Sequence, residues 1–573
     1  MTARLAEEDR GLLASTAAVT AGNLASRVTG FLRVLAVGLA LGTTFAGNTY
    51  QTSNLVSNVL FELSAAGLMS SVLIPPLVKL LDSGERHEAE RLAGSVLGLV
   101  LVALGVLTAA GLLLRPWIMR LLTAAVEDQA VRDQEVALGS FLLVFFLPQI
   151  LLYAVGAVAT GLLHGTRRFA APAFAPVANN LAVIATMVAF WAIGPGGRPG
   201  LDLTTTERWV LGLGTTAGVA AMNAVPLLAL RRAGLRLRPR WDLRQAGLAR
   251  LGRDGLWATA TLALGQVLIV ATLVLANRVE GGVVAYHLAF QLFLLPFALL
   301  AHPVVTALYP RLASSAHALD WAAFVRQLRG GAATLAFLVL PASAVAVAVA
   351  DPALRLLRLG NLDAAGTRLA AQLVAAYALG LIGYAGFQLL LRASYAAGDT
   401  RTPTLVAVGV AVGGTALMVL WFAAAGDGPG RLAAVGFGHS IAYLGGTVAL
   451  AALLRRRLAT QGGGGGGGLD RHLRLWGQTA SPGEVRRPQS SVSHRASATR
   501  LPAALARSAL CAAAAGGVAL VVSRAITGGW AATALAVGLA LASAAAVYVG
   551  AQRALGAPEL AFLRGRTREV AAP

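Results

Sequence analysis

Apolar residues run in stretches of about twenty along most of the chain, and the stretches do not alternate in polarity. A run of that length crosses a bilayer as a helix. Only helices and closed barrels satisfy their backbone in lipid, and a barrel strand would alternate. The pattern therefore predicts an all-α polytopic membrane protein of about fourteen transmembrane helices. The spans fall near 12–41, 49–78, 93–114, 137–163, 172–193, 209–230, 255–276, 283–308, 330–350, 370–391, 403–425, 432–454, 504–526 and 530–549. Residues 461–500 interrupt the series with the glycine run Gly462–Gly468 and a stretch rich in Arg, Ser, Gln and Pro. That composition builds no core and reads as a flexible basic linker.

Prolines mark a repeat. Pro75, Pro116 and Pro172, at the end of span two, after span three and at the start of span five, recur as Pro310, Pro352 and Pro403. The offset is about 235 residues each time, which predicts two six-helix lobes in parallel pseudo-repeat, a transporter architecture. The expected organisation is an N-lobe over 1–240, a C-lobe over 241–457, the linker over 458–502, and a C-terminal helix pair with its tail over 503–573.

Composition sharpens this reading. Of 573 residues, 57% are hydrophobic and 13% charged, half the charged fraction of a soluble domain. The net charge of +21 is concentrated in loops that follow even-numbered spans. These hold Lys79, Arg86 and Arg91; Arg167 and Arg168; Arg231 through Arg253; Arg311, Arg326 and Arg329; Arg392 and Arg401; and Arg455, Arg456 and Arg457. Positive loops stay in the cytoplasm, so both termini are expected there and no nucleic-acid partner is implied. Arg231–Arg253 suits anionic membrane lipids. Cys511 is the single cysteine, and no metal motif, P-loop or nucleophile elbow is present. No catalytic residue, metal or cofactor is expected, and a driving ion or the membrane potential is left open as the energy source.

The candidate chemistry lies in the first two spans. In span one Asn23, Arg27, Gly30 and Arg33 share one helical face, with Gly30 placed to let the helix bend or a ligand approach. In span two Gln51, Asn54, Asn58 and Glu62 form one stripe. An ionised side chain at bilayer depth costs roughly 2.5–3.5 kcal/mol on insertion scales, so these residues are expected to line a polar cavity. Two readings stand side by side. Arg27 and Arg33 grip a phosphate or diphosphate through bidentate, permanently charged forks, or Arg33 and Glu62 neutralise each other and hold the helices. Gln266, Gln291, Gln388, His302 and His439 read as interhelical hydrogen-bonding residues.

Four segments resemble the MurJ/MviN lipid II flippase family of the multidrug/oligosaccharidyl-lipid/polysaccharide exporter superfamily. They are Ser26-Arg27-Val28-Thr29-Gly30-Phe31-Leu32-Arg33; Asn54 through Pro76, with Phe61-Glu62 and Gly67; Arg168-Phe169-Ala170-Ala171-Pro172-Ala173-Phe174-Ala175-Pro176; and Tyr395 through Pro403. The likeness extends over roughly 12–455. It implies a V-shaped, two-lobed bundle in a bacterial plasma membrane. Its partner would be a polyprenyl-diphosphate-linked glycan lipid, lipid II or a relative, carried to the outer leaflet. The chain departs from the family pattern at Val34, where an acid often follows the arginine. It departs again at Phe61-Glu62, which stand for an arginine pair, as in actinobacterial members, and at Phe290-Gln291, which stand for an Asp-Arg pair. The alternatives are a cation-coupled multidrug-type exporter and a non-transporting scaffold that recruits cell-wall synthesis proteins.

Overall fold

The computed structural model describes residues 2–63, 74–194, 196–241, 265–427, 430–461 and 501–560. Every regular element among them is a helix. Among the described residues, eleven helices are long and apolar enough to cross a membrane. A twelfth span is counted when Ala364–Leu379 (α13) and Leu381–Ala396 (α14), bent by 45° at Gly380, are taken as one. The expected spans 49–78 and 255–276 each run partly through residues outside the described set, as does the glycine-rich linker. The described parts are Phe45–Phe61 (α2) with Ile74–Asp82 (α3), and the short apolar helix Gly265–Asn277 (α9).

Helix boundaries differ from expectation where polar residues are helical. The fourth span begins at Gln129, not near 137, and is built from Gln129–Phe146 (α5) and Gln149–Gly165 (α6). Asp128 caps α5 by accepting from the Ala130 and Val131 amides. Glu135 in its second turn is fully buried and accepts from Thr49 Oγ1 at 3.2 Å. Pro116 and Pro352 lie inside helices rather than after them. Arg86–Leu122 (α4) and Trp321–Arg355 (α12) each continue beyond their proline. At Pro296, which has no N–H to give, Gly282–Pro296 (α10) passes through a π-helical turn, Phe297–Ala301, into His302–His317 (α11).

The helices pack as two units. The first comprises Met1–Gln291 with Leu357–Ala370, the second Leu292–Leu356 with Ala371–Pro573. The packing boundary thus falls inside α10, whereas the proline repeat divides the chain at 240/241.

In the first unit, Thr2–Leu41 (α1) lies on Ala170–Ile193 (α7), and α7 on Thr205–Arg232 (α8). Gly22 permits a close approach of α1 to α7, since a Cβ there would come within 2.9 Å of Ala173 Cβ. Helix α2 packs on α5 and α6. Its Thr49, Gln51, Thr52, Ser53 and Ser57 are buried, each bonded or packed within protein rather than facing lipid. Tyr50 hydroxyl bonds Thr215 Oγ1 at 2.7 Å, and Ser57 donates to Phe146 O at 2.5 Å.

In the second unit, α12 packs against the terminal pair Leu501–Ala525 (α17) and Trp530–Ala554 (α18). The seam is made of small residues, including Cys511, Ala515, Ala519, Ala540 and Ala544. Small side chains let helix backbones approach closely where lipid supplies no hydrophobic drive. Tyr548 donates across the seam to Phe337 O at 2.7 Å. Arg401–Ala424 (α15) and Ala433–Gln461 (α16) complete this unit.

Candidate functional site in the first helix pair

Helix α1 is continuous through Gly30. Asn23 and Arg27 are exposed, and Gly30 and Arg33 are half-buried. On α2, Gln51 is buried within the packing, while Asn54, Asn58 and Glu62 are half-buried. Asn58 Nδ2 donates to Asn54 O at 3.4 Å, so these two neighbours on the stripe are coupled along the helix. The two polar faces therefore occupy helices that share a turn at Gly42–Thr44 and then rest on different partners, α1 on α7 and α2 on α5.

No ion pair joins Arg33 to Glu62, and neither Arg27 nor Arg33 pairs with an acid among the described residues. Helix geometry gives the reason. Counted outward from the turn, Arg33 stands level with about residue 53 of α2, roughly nine residues or 14 Å short of Glu62. Glu62 sits instead where α2 gives way to a π turn, with its backbone N–H directed to Asn58 O and Val59 O. On α10, His287 carries a buried Nε2 with no hydrogen-bond partner among the described residues.

Two carboxamides stand beside Gly30. A Cβ at that position would lie 3.5 Å from Asn180 Nδ2 and 3.6 Å from Gln291 Nε2. Asn180 donates to Ser26 O at 3.2 Å and to Thr29 Oγ1 at 3.0 Å, so α7 grips α1 on the turn between the two arginines. The sequence pattern offered Gln291 as an interhelical residue and gave no signal for Asn180, an amide in an apolar run whose partner lies 151 residues away. Of the other candidates, His439 lies in an aromatic cluster with Phe293, Tyr377 and Tyr443 in the second unit, and His302 contacts Thr306 at 3.5 Å.

A cavity of about 280 Å³ opens beside Leu39, Met187, Trp191 and Leu359. None of the expected polar residues lines it, and its walls offer no group that would hold a phosphate. The arrangement suited to an anion is the α1 face itself: two guanidinium forks a helical turn and a half apart, with no acid paired to them among the described residues, and the carboxamide of Gln291 beside the turn between them.

Sequence and structure comparisons agree. The family model described as lipid II flippase MurJ matches residues 37–471. The probable lipid II flippase MurJ of Rhizobium meliloti (strain 1021) is 29% identical over 434 residues, covering 73% of this chain and 77% of that protein. The lipid II flippase MurJ of Burkholderia cenocepacia is 27% identical over 420 residues, covering 69% and 75%. A solved structure of lipid II flippase MurJ in an inward closed conformation shares the fold at a TM-score of 0.71, with 16% identity over 94% of this chain and 99% of that one. An inward-facing multidrug resistance MATE family transporter of the MOP superfamily aligns at a TM-score of 0.60, with 13% identity over 78% of this chain and 96% of that one.

Proposed function

The chain belongs to the MurJ family of multi-pass membrane proteins, and from that premise we propose that it is a flippase that carries lipid II, or a closely related polyprenyl-diphosphate-linked glycan lipid, from the inner to the outer leaflet. It acts as a transporter rather than an enzyme, because translocation makes and breaks no covalent bond. The observation that carries the reading is the pair Arg27 and Arg33, two permanent cations on one membrane helix with no acid paired to either among the described residues. A diphosphate has two negative centres and planar oxygen pairs, which guanidinium forks match bidentately. Binding supplies the counter-charge that the site lacks, so the same interaction that selects the ligand offsets the cost of holding cations at bilayer depth. Asn23, Gly30, Asn54, Asn58 and Glu62 complete the proposed site, with Glu62 limiting how tightly the anion is retained.

Transport then requires the site to face the two leaflets in turn. The parallel repeat supports rocking of an N-lobe over 1–240 against a C-lobe over 241–457. The lysine and arginine tally supports placing even-numbered loops and both termini in the cytoplasm of a bacterial plasma membrane. A MATE-type exporter of cationic drugs shares the fold, but two uncompensated arginines would repel its substrates.

The test is complementation. A host depleted of its lipid II flippase should regain growth when this chain is expressed, and lipid II should become accessible at the outer face. Normal membrane levels with no rescue and no exposed lipid II would reject lipid II as the cargo.

A further inference from the structure

Helix α1 does not complete its own C-terminus. The last carbonyls of a helix need donors from elsewhere. Here two of them are served by one distant residue. Asn361 donates its backbone N–H to Leu39 O at 3.0 Å and its Nδ2 to Ala40 O at 2.8 Å. Gly42 follows at φ +70°, where a Cβ would lie 2.7 Å from Asn361 O. The next residue, Thr43, is held by Arg198, which donates Nη2 to Thr43 O at 3.0 Å. Arg198 also reaches Asp363 at 3.0 Å and Glu280 at 3.5 Å. Asp363 accepts in turn from Thr43 Oγ1 at 3.2 Å and the Gly366 amide at 2.8 Å.

These bonds have one thing in common. Residues 39–43 and 198 come from the first half of the proline repeat, and residues 280 and 361–366 from the second. All of them lie at helix ends that follow odd-numbered spans. The two halves meet there without side-chain padding: a Cβ on Gly366 would fall 2.0 Å from Thr43 Oγ1, and one on Gly281 2.3 Å from Thr43 Cβ. We propose that Arg198, bridging Thr43, Asp363 and Glu280, is the releasable part of a latch that holds this end of the transporter shut, with the Asn361 cap on α1 setting its register. The proposal rests on the alternating-access reading above, in which this end faces outward. The chemistry suits a contact that must break in every cycle. The Arg198 side chain is 47% exposed, so water competes for each of its bonds and no single one is strong. Three acceptors on separate segments nevertheless converge on one guanidinium, so its departure removes three contacts at once and leaves the bond from Thr43 Oγ1 to Asp363 in place.

The experiment reads accessibility, not transport. In a Cys511→Ser background, Asn54→Cys reports on the interior of the first helix pair and Gln129→Cys on the surface at the latched end. Intact cells are treated with a membrane-impermeant maleimide. Gln129→Cys should label from outside and Asn54→Cys slowly. Adding Arg198→Gln with Asp363→Asn should raise the Asn54→Cys rate about fivefold or more. Gly366→Val, which wedges the same contact without touching a charge, should shift it in the same direction. The charge-swapped pair Arg198→Asp with Asp363→Arg should return it toward the parental rate. An unchanged rate in both the neutralised and the wedged proteins, at parental membrane level, overturns the latch. If the neutralised pair does not accumulate, Arg198→Lys is read by the same criterion, because lysine keeps the charge but cannot span three acceptors. Failure of the functional reading looks different. Labelling of Gln129→Cys only in inside-out vesicles would reverse the orientation, and absence of rescue by the parent chain would reject the cargo. In the first case the rate comparison among variants is read in inside-out vesicles, where the latched end meets the reagent, and in the second it stands as measured in intact cells.

Discussion

Arg33 and Arg198 belong to the same packing unit and stand in opposite electrostatic situations. Arg33 is half-buried on a membrane-spanning helix and has no acidic partner among the described residues. Arg198 sits in a Gly- and Pro-rich loop, about half in solvent, and has two acids and a carbonyl around it. Solvation alone would select the reverse, since a cation in water tolerates isolation better than one at bilayer depth. The contrast separates two uses of arginine. A saturated guanidinium is already committed to holding chain segments together. On the proposed function, an unsaturated one in a poorly solvated place is a demand for an anion that no described residue supplies.

The contrast breaks first if Arg27, the other unsaturated cation, proves dispensable. Arg27 is exposed, so the contact at stake is a charge-assisted one to the substrate worth about 1.5–3 kcal/mol, and Arg27→Ala should lower flipping roughly 10-fold or more. Its melting temperature should stay near the parental value, because no internal partner is lost. Arg27→Lys should fall between the two, keeping the charge without the fork. Parental flipping by Arg27→Ala at parental expression would sink the substrate role.

A saturated arginine should instead report in stability. Arg457 pairs with Asp399, which also accepts from the Thr402 amide at 3.0 Å. Burial pushes the Asp399 carboxyl up, but Thr402 and Arg457 more than reverse this and leave it below its ordinary 3.8. The folded carboxyl therefore titrates lower than the unfolded one. The stabilisation is complete above pH 3.8 and is lost as pH falls through the depressed value. Asp399→Asn should cost about 1–3 kcal/mol at pH 7 and show a flatter acid limb in thermal melts. Parallel acid limbs would mean the pair contributes nothing.

Asn180 sharpens the comparison from the neutral side. Asn180→Leu removes two donors to α1 and should cost about 1–2 kcal/mol, with weaker substrate binding because the arginine-bearing turn loses its clamp. Stability loss with unchanged affinity would make the clamp purely structural. The smallest effect is expected for the Arg33→Gln, Glu62→Gln cycle. With no bond between the two groups, their coupling in thermal stability should stay within about 0.5 kcal/mol. A larger value would reinstate the ion pair.

Much of this was legible in the chain because lipid simplifies the code. Charges and amides within apolar runs stand out, and Arg27, Arg33 and the α2 stripe were visible for that reason. Hydropathy also placed the terminal helices, α17 and α18, to within a few residues. It failed at 129–136, where the helix had already begun: a run holding Asp133 and Glu135 scores as loop, yet Glu135 is buried against Thr49. Pairing was the harder part. Arg33 and Glu62 were near in pattern but differ in level along the hairpin, a distance that counting residues from the turn could have exposed. Arg198 reads as a connector residue, since its partners lie 82 and 165 residues away. Asn180 was hidden by the same arithmetic of long-range contacts.

The cap on α1 also sets a timetable for biogenesis. The carbonyl of Ala40 waits for a side chain 321 residues further along the chain. At about 5–20 residues per second, roughly 15–65 s separate the synthesis of the first helix from the arrival of its last donor. During that interval the Gly42–Thr44 turn has only its local bonds, such as Thr44 Oγ1 to Leu41 O at 2.9 Å. If the turn faces outward, as the proposed topology has it, a nascent chain arrested before residue 357 should be nicked there by external protease, and one arrested well beyond 366 should resist. The N-terminal hairpin is thus inserted early and finished late, so its quality cannot be judged by the cell until more than half of the protein has been made.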